Sequence, residues 1–318
     1  MKIIGTGSAH PQCVVTNDML AQFLDTSDEW IKERTGIRQR QLIKNENLED
    51  LATTAALNAL EDAGLTGKDI DYIICSNVIN EYVTPTLASI VQGRVGAECP
   101  AMDLNAACTG FIYALDIADA FLQGKRAQNI LIICAEEPTR MVDWKDRRMC
   151  VLFGDGAGAV VLTRGEGLKS IKVSSKSNPD VIYYRRILEP TPFIEKGEDD
   201  TALQMRGQEV FRMAITSSIR DLEEVLGKAE VAKEDVKYYV LHQANLRILD
   251  MIRQHMQVDA ERFPNNVAKY GNTSSASVPI LLDELNRAGK LHYGDIIAMS
   301  AFGAGFTSGA CVLEWKMN

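Results

Sequence analysis

The chain of 318 residues has no apolar run approaching the roughly 18 residues of a membrane span, and no low-complexity tract. Its N-terminus, MKIIGTGSAHP, has too short an apolar run for a secretory signal and reads as a strand entering a turn. None of its seven cysteines forms a CxxC pair, and their number is odd, which argues against a disulfide framework and against a zinc site. Free thiols fit a reducing compartment, so a cytoplasmic location is expected, with most cysteines acting as small buried hydrophobes. Basic residues are outnumbered, giving a net charge of −9 that disfavours a general nucleic-acid surface. Histidine is scarce, at four residues, so each one can be weighed singly.

What is present is a repeated order of short signals. DIDYIIC at 69–75 is matched by DVKYYVL at 235–241, and VGAECP ending at Pro100 by VDAERFP ending at Pro264. Counting eight residues past each proline reaches Cys108 in one copy and Asn272 in the other, each followed by threonine. A helical stretch, a Gly-Lys turn, an apolar strand and a glycine-rich turn follow in both copies. The expected organisation is a duplication with halves at 1–165 and 166–318. The strands YIICSNV, NILIICAE, AGAVVLT, YYVLHQA and DIIAMSA are continuously apolar and alternate with helical patterns. That predicts an α/β fold whose strands are covered on both faces. Residues 177–200 show no clear period and contain Pro179, Pro190 and Pro192; they are expected to form a long excursion contributing to a pocket wall.

Cys108 precedes a helical stripe of Ala114, Leu115, Ala118, Phe121 and Leu122, which puts it at a helix N-terminus. Exposed N–H groups and the positive dipole end there favour a thiolate. His242 ends an apolar strand and stands where the first copy has Ser76, so the repeated scaffold does not itself require histidine. Asn272, in KYGNTSSASVP, reads alone as a turn and helix cap. If a pseudo-twofold relates the halves, Cys108, Asn272 and His242 converge. The turn FGAGF at 302–306 can then add a backbone N–H to that of Cys108 as an oxyanion hole. FGDGAG at 153–158 lacks the Lys-Ser/Thr of a phosphate-binding loop and runs into a strand, so it reads as a structural turn.

These residues resemble the β-ketoacyl-acyl-carrier-protein synthase III family over nearly the whole chain. The motifs are DTSDEWIKERTGI (25–37), ACTGF (107–111), DR ahead of FGDGAGA (146–159), HQANLRI (242–248), GNTSSASVP (271–279) and AFGAGFTSG (301–309). The resemblance implies the thiolase-like fold, a duplicated α/β unit in a five-layered αβαβα arrangement, and a homodimer. It implies decarboxylative condensation of an acyl-CoA primer with malonyl-acyl carrier protein, starting fatty-acid synthesis, with no permanently bound cofactor and neither nucleic acid nor membrane as partner. Cys108 would be the acylated nucleophile, with His242 and Asn272 assisting decarboxylation and the N–H groups of Cys108 and Ala304 forming the oxyanion hole. Trp30, Arg34 and Arg147 would hold the nucleotide end of coenzyme A, and Asn245 would line the pantetheine tunnel. Gln243, Ala244, Asn245, Leu246 and Arg247, with Arg212 nearby, would meet the acidic carrier protein. Thr84 stands where many relatives carry a bulky aromatic closing the primer pocket across the dimer, and a smaller residue would admit a longer or branched primer. Thr84 and the unusual 177–200 segment leave open a specialised relative in secondary metabolism. A thiolase would need a second cysteine where Ala304 and Gly305 stand, and a non-catalytic subunit would lack Cys108.

Overall fold

The computed structural model describes residues 1–185, 190–193 and 202–317. Strand β1 (Lys2–Ala9) is followed by β2 (Cys13–Thr16), helices α1 (Asn17–Ala21) and α2 (Asp28–Thr35), and β3 (Gln39–Leu42), which pairs with β2. Next come α3 (Leu48–Ala63), β4 (Tyr72–Ser76), α4 (Leu87–Val95), β5 (Ala101–Leu104), α5 (Gly110–Gln123), β6 (Asn129–Glu136) and β7 (Gly156–Thr163). The second part holds β8 (Leu168–Ser175), the short pair β9 (Ile182–Tyr183) and β10 (Gln204–Met205), α6 (Gly207–Ala229) and β11 (Val236–Leu241). It ends with α7 (Leu246–Met256), α8 (Val267–Tyr270), α9 (Ser277–Arg287), β12 (Ile296–Gly303) and β13 (Thr307–Glu314).

Besides the two-stranded pairs β2-β3 and β9-β10, the described residues form two large sheets, ordered β1-β7-β6-β4-β5 and β8-β13-β12-β11. The order is the same in both, with β4 and β6 parallel as are β11 and β12; β5 alone has no counterpart strand. Both sheets are apolar on two faces because both faces are covered. Along β6, Ile130, Ile132 and Cys134 point to one core, while Leu131, Ile133 and Ala135 point to another. The first core, between the sheets, is filled by α5 and α9. The outer face of the first sheet packs on α3 and α4, and that of the second on α6 and α7. The layers therefore run α, β, α, β, α, the arrangement the family resemblance implies.

Local sequence explains the close layers. Helix α3 offers a face of Ala52, Ala55, Ala56 and Ala59, all fully buried, and β1 meets it with Gly5 and Gly7. A Cβ on Gly7 would lie 2.3 Å from the Ala55 carbonyl oxygen and 2.4 Å from the Ala59 nitrogen. Buried Asp283 of α9 ties the central layer to β1, accepting from Thr6 Oγ1 at 2.7 Å and Ser8 Oγ at 2.6 Å. Gly7→Ala is expected to destabilise the fold by roughly 1–3 kcal/mol, since overpacking against backbone cannot be relieved by a rotamer change. Gly227→Ala, in an exposed helical position with open space around it, should instead stabilise by up to about 1 kcal/mol. Chemical-denaturation midpoints of the two variants, moving in opposite directions from wild type, check the pair.

Candidate active site

Helices α5 and α9 enter the central layer through matching turns. Ala107–Thr109 form a 3₁₀ turn before α5, and Ser274–Ala276 form one before α9. Each begins with a left-handed residue, Ala107 at φ 48° and Ser274 at φ 52°. Each is preceded by an asparagine whose Oδ1 accepts the N–H two residues on: Asn105 from Ala107 at 3.1 Å, Asn272 from Ser274 at 2.8 Å. Such side-chain turns stabilise a backbone that alanine or serine adopts only at a cost. The true equivalences are Asn105 with Asn272 and Cys108 with Ser275. The count from the prolines, which pairs Cys108 with Asn272, is off by three residues. The second part is longer there, because α8 occupies the stretch where the first part has β5.

Cys108, His242 and Asn272 nevertheless line one cavity of about 540 Å³, together with Gly303 and Ala304. Asn272 is held by its backbone on both sides: its N–H donates to the Leu152 carbonyl at 2.9 Å, and its carbonyl accepts from Gly154 at 3.1 Å. The FGDGAG turn is thus structural, and Asp155 within it is buried, accepting from Ile43 N–H and from Thr139. With the Asn272 amide oxygen engaged by Ser274, its Nδ2 is the group left to donate. His242 Nδ1 lies 2.7 Å from Ser277 Oγ, which also accepts the Gln243 N–H at 3.2 Å. That serine has a proton to give to Nδ1, and in the tautomer where it does so the imidazole proton sits on Nε2. Phe302 packs edge-on against the ring, 5.2 Å between centroids.

The C-terminal glycine turn is seated on the Cys108 turn. A Cβ on Gly303 would lie 2.8 Å from the Cys108 nitrogen, so only glycine lets the two backbones meet. Thr307 Oγ1 sits 2.9 Å from Thr109 Oγ1 and donates to the Ala304 carbonyl at 3.0 Å. The left-handed position in this turn is Gly305, at φ 135°; Ala304 is not among the positive-φ residues, so alanine fits there.

Burial governs the charges. It pushes the Cys108 thiol up to about 12 and His242 down to about 3. Removal of the Cys108 thiol from water therefore opposes the thiolate that the helix N-terminus favours. Glu136, at the end of β6, is wholly buried at the cavity wall and pushed up to about 7 by desolvation. It accepts from Ser275 Oγ at 2.5 Å, Ser274 Oγ at 3.2 Å and Val78 N–H at 3.2 Å. Glu136, Ser274, Ser277 and Phe302 escape sequence reasoning, although an acid closing the apolar run NILIICAE was a visible signal.

Trp30 and Arg34 line the cavity, and the Trp30 ring has two guanidinium groups near it, Arg34 at 4.5 Å and Arg147, which is outside the cavity lining, at 4.9 Å from its centroid. Arg147 also pairs with Asp25 at 3.0 Å. Asn245 lines the cavity and caps α7, its Oδ1 accepting from Arg247 N–H at 2.9 Å and its Nδ2 donating to the Arg34 carbonyl at 3.1 Å. Arg247 and Arg212 are exposed, and Ala244 and Leu246 are half-buried. Gln243 is not a surface residue: it is fully buried, donating to the Leu241 carbonyl at 2.7 Å and accepting from Asn266 N–H at 3.1 Å. It follows His242 into the interior and cannot meet a partner protein. Thr84 is exposed and does not line its own chain's cavity. Of the 177–200 excursion, Ile182, Tyr183 and Tyr184 do form cavity wall, while 186–189 and 194–200 lie outside the described residues.

Two family models match the chain: 3-oxoacyl-[acyl-carrier-protein (ACP)] synthase III over residues 102–179, and the C-terminal part of the same family over 226–315. The chain is 41% identical over 318 residues to a protein named beta-ketoacyl-[acyl-carrier-protein] synthase III from Xanthomonas axonopodis pv. citri, covering 99% of this chain and 98% of that one. It is 42% identical over 315 residues to the protein of that name from Aquifex aeolicus, covering 99% of each. The crystal structure of the 3-oxoacyl-[acyl-carrier-protein] synthase III of Aquifex aeolicus VF5 superposes with a TM-score of 0.93 over 99% of both chains. The priming β-ketosynthase of the R1128 polyketide biosynthetic pathway, 31% identical, does so at 0.91 over 99% of this chain and 96% of that one. With this identity over its full length, and with the layered fold and the Cys-His-Asn cavity, the chain belongs to the β-ketoacyl-[acyl-carrier-protein] synthase III family of thiolase-like condensing enzymes.

Proposed function

We propose that this chain condenses an acyl-CoA primer with malonyl-acyl carrier protein through an acyl-Cys108 thioester, the initiating step of fatty-acid synthesis. The observation that carries the reading is one cavity with a thiol and two neutral donors, His242 and Asn272, whose other polar atoms are already engaged. Cys108 Sγ attacks the acyl carbonyl, and coenzyme A leaves as the thiol. Malonyl-carrier then binds, and loss of carbon dioxide leaves an enolate. Its oxygen is held by His242 Nε2–H and Asn272 Nδ2–H, and its carbon attacks the Cys108 thioester. The tetrahedral oxyanion is held by the N–H groups of Cys108 and Ala304, and its collapse breaks the bond to Cys108 Sγ, which takes up a proton as the β-ketoacyl-carrier leaves. A neutral imidazole suits this work, since it donates without an unpaired buried charge. The sharing of one name by relatives of about 40% identity supports initiation of fatty-acid synthesis over a specialised pathway.

Trp30, Arg34 and Arg147 would take the nucleotide of coenzyme A, and Asn245 the pantetheine arm. Arg247 and Arg212 supply local positive charge for an acidic carrier on a chain of net −9. Ala244 and Leu246 fit the edge of that surface. Free thiols support a cytoplasmic location, and among the described residues no helix is long and apolar enough to cross a membrane. A homodimer would let Thr84 reach a neighbouring subunit's primer pocket, since it does not reach its own.

Peptide mass mapping after incubation with acetyl-CoA should place the acyl group on Cys108. His242→Ala and Asn272→Ala should keep that acylation while losing malonyl decarboxylation by about 10²–10³ each. Near wild-type condensation by either variant would remove it from the enolate site. Because burial holds the His242 imidazole pKa near 3, its ring resonances in ¹H–¹³C spectra should show no titration step between pH 5 and 8. A midpoint near the ordinary histidine value would mean that the site works with an imidazolium.

Primer size is the third outcome. The Thr84→Phe variant should shift preference toward acetyl-CoA, while wild type accepts isobutyryl- or octanoyl-CoA at least as well. Each buried methylene is worth about 0.8 kcal/mol, so several carbons change kcat/KM by orders of magnitude. An identical preference order in the two proteins would show that residue 84 does not gate the pocket.

A further inference from the structure

We propose that Glu136 is a positioning residue for the nucleophile, taking the Cys108 thiol proton through the hydroxyl of Ser274. The inference rests on the reading of Cys108 as the acylated residue and adds the fate of its proton. Ser274 Oγ lies 3.4 Å from Cys108 Sγ and 3.2 Å from Glu136 Oε1. A serine hydroxyl has one proton to give. With a carboxylate on one side and a thiol on the other, both contacts are satisfied when S–H donates to Ser274 and Ser274 donates to Glu136. Ser275 Oγ and the Val78 N–H anchor the carboxylate from the remaining sides, and Ser76 Oγ supports Ser275 at 3.0 Å. Glu136 is one of the few charged side chains fully buried in this molecule, and no cation pairs with it among the described residues.

A purely structural acid would be expected where the fold needs one. The second sheet answers that point, because β12 ends on Gly303 where β6 ends on Glu136. The layered fold builds that strand end without a carboxylate. The titratable groups facing Glu136 are the Cys75 thiol of β4, the Cys134 thiol of its own strand, and Cys108. All three are thiols pushed up by burial, so Glu136 is the group among them that is charged first. His242 is too weak a base in this setting to compete, because burial holds it near 3.

The thiol remains the weaker acid, so the proton moves as the bond forms. Cys108 Sγ bonds to the acyl carbonyl carbon, its proton passes to Ser274 Oγ, and the Ser274 proton passes to Glu136. The carbon–sulfur bond to coenzyme A then breaks, and the departing thiolate takes a proton back along the same hydroxyl. Acyl-CoA and the free thiol become acyl-enzyme and coenzyme A, with Glu136 again a carboxylate.

The test is the pH dependence of two Cys108 reactions, acylation by acetyl-CoA followed by intact mass and alkylation by uncharged iodoacetamide. In wild type both rates should rise through an inflection near pH 7, as Glu136 loses its proton. Glu136→Gln should slow acylation by ~10²-fold, the lower range for a lost general base, abolish the inflection and leave KM for acetyl-CoA unchanged. Ser274→Ala, in which Ser275 and Val78 still anchor the carboxylate, should lose the inflection too. A merely structural role would lower thermal stability or binding without moving the inflection. Acylation by Glu136→Gln within about threefold of wild type, with the inflection intact, overturns the relay. If Glu136→Gln fails to fold, an unchanged profile in Ser274→Ala overturns it alone. An acyl group mapped elsewhere than Cys108 would count against the functional reading, while the iodoacetamide profile would still decide the relay.

Discussion

The structure depends on the close approach of two helix-opening turns at the centre of the central layer. A Cβ on Gly110 would lie 1.9 Å from Ser76 Oγ and 3.4 Å from Ser275 Cβ. Glycine there lets α5 start directly against β4 and against the turn that starts α9. The approach brings polar backbone and hydroxyl groups into a region that excludes water. Such groups are stable only when bonded to one another. Asn105, Asn272, Ser274, Ser275, Ser277, Thr109 and Thr307 meet that requirement, and in doing so they aim Cys108, His242 and Asn272 into one cavity.

The same burial sets the chemistry. A thiol, an imidazole and a carboxyl are each driven toward the uncharged form, by the same loss of hydration acting in opposite pKa directions on acid and base. The proposed chemistry accordingly relies on oriented neutral donors and on one buried carboxyl, Glu136, that exchanges a proton near neutral pH. Permanent charge is kept at the rim, where Arg34, Arg147 and Arg247 remain partly hydrated and can meet anionic groups without the cost of full desolvation. Trp30, with two guanidinium groups over its ring, gives that rim a flat surface as well as charge.

Near-identical sheets hold unlike residues at matching places: Ser76 against His242, Glu136 against Gly303, and Cys108 against Ser275. The second half carries the histidine, its aromatic neighbour and the serines Ser274 and Ser275, and the first half carries Cys108 and the acid. The two sets meet at Ser274, which touches both Cys108 and Glu136.

Much of this was legible in the residues alone. Continuously apolar strands alternating with helical stripes require a sheet covered on both faces, because a half-exposed strand would alternate. The repeated order of DIDYIIC and DVKYYVL, the ACTGF turn and the HQANLRI strand end identify the layers and the Cys-His-Asn constellation. The pairing of the halves was not legible. Loop length is free to drift while side-chain geometry is not, so counting from Pro100 and Pro264 matched Cys108 to Asn272, where matching φ angles and Asx bonds match it to Ser275. Adjacent residues also part company in ways that a motif cannot record: in HQANLRI, His242 faces the cavity, Gln243 is sealed inside and Arg247 reaches solvent. The sequence by itself determined which chemical groups exist and which layers carry them. Only the tertiary structure decided their protonation and their neighbours, because both depend on how much water is removed around each group and on contacts between segments distant in the chain.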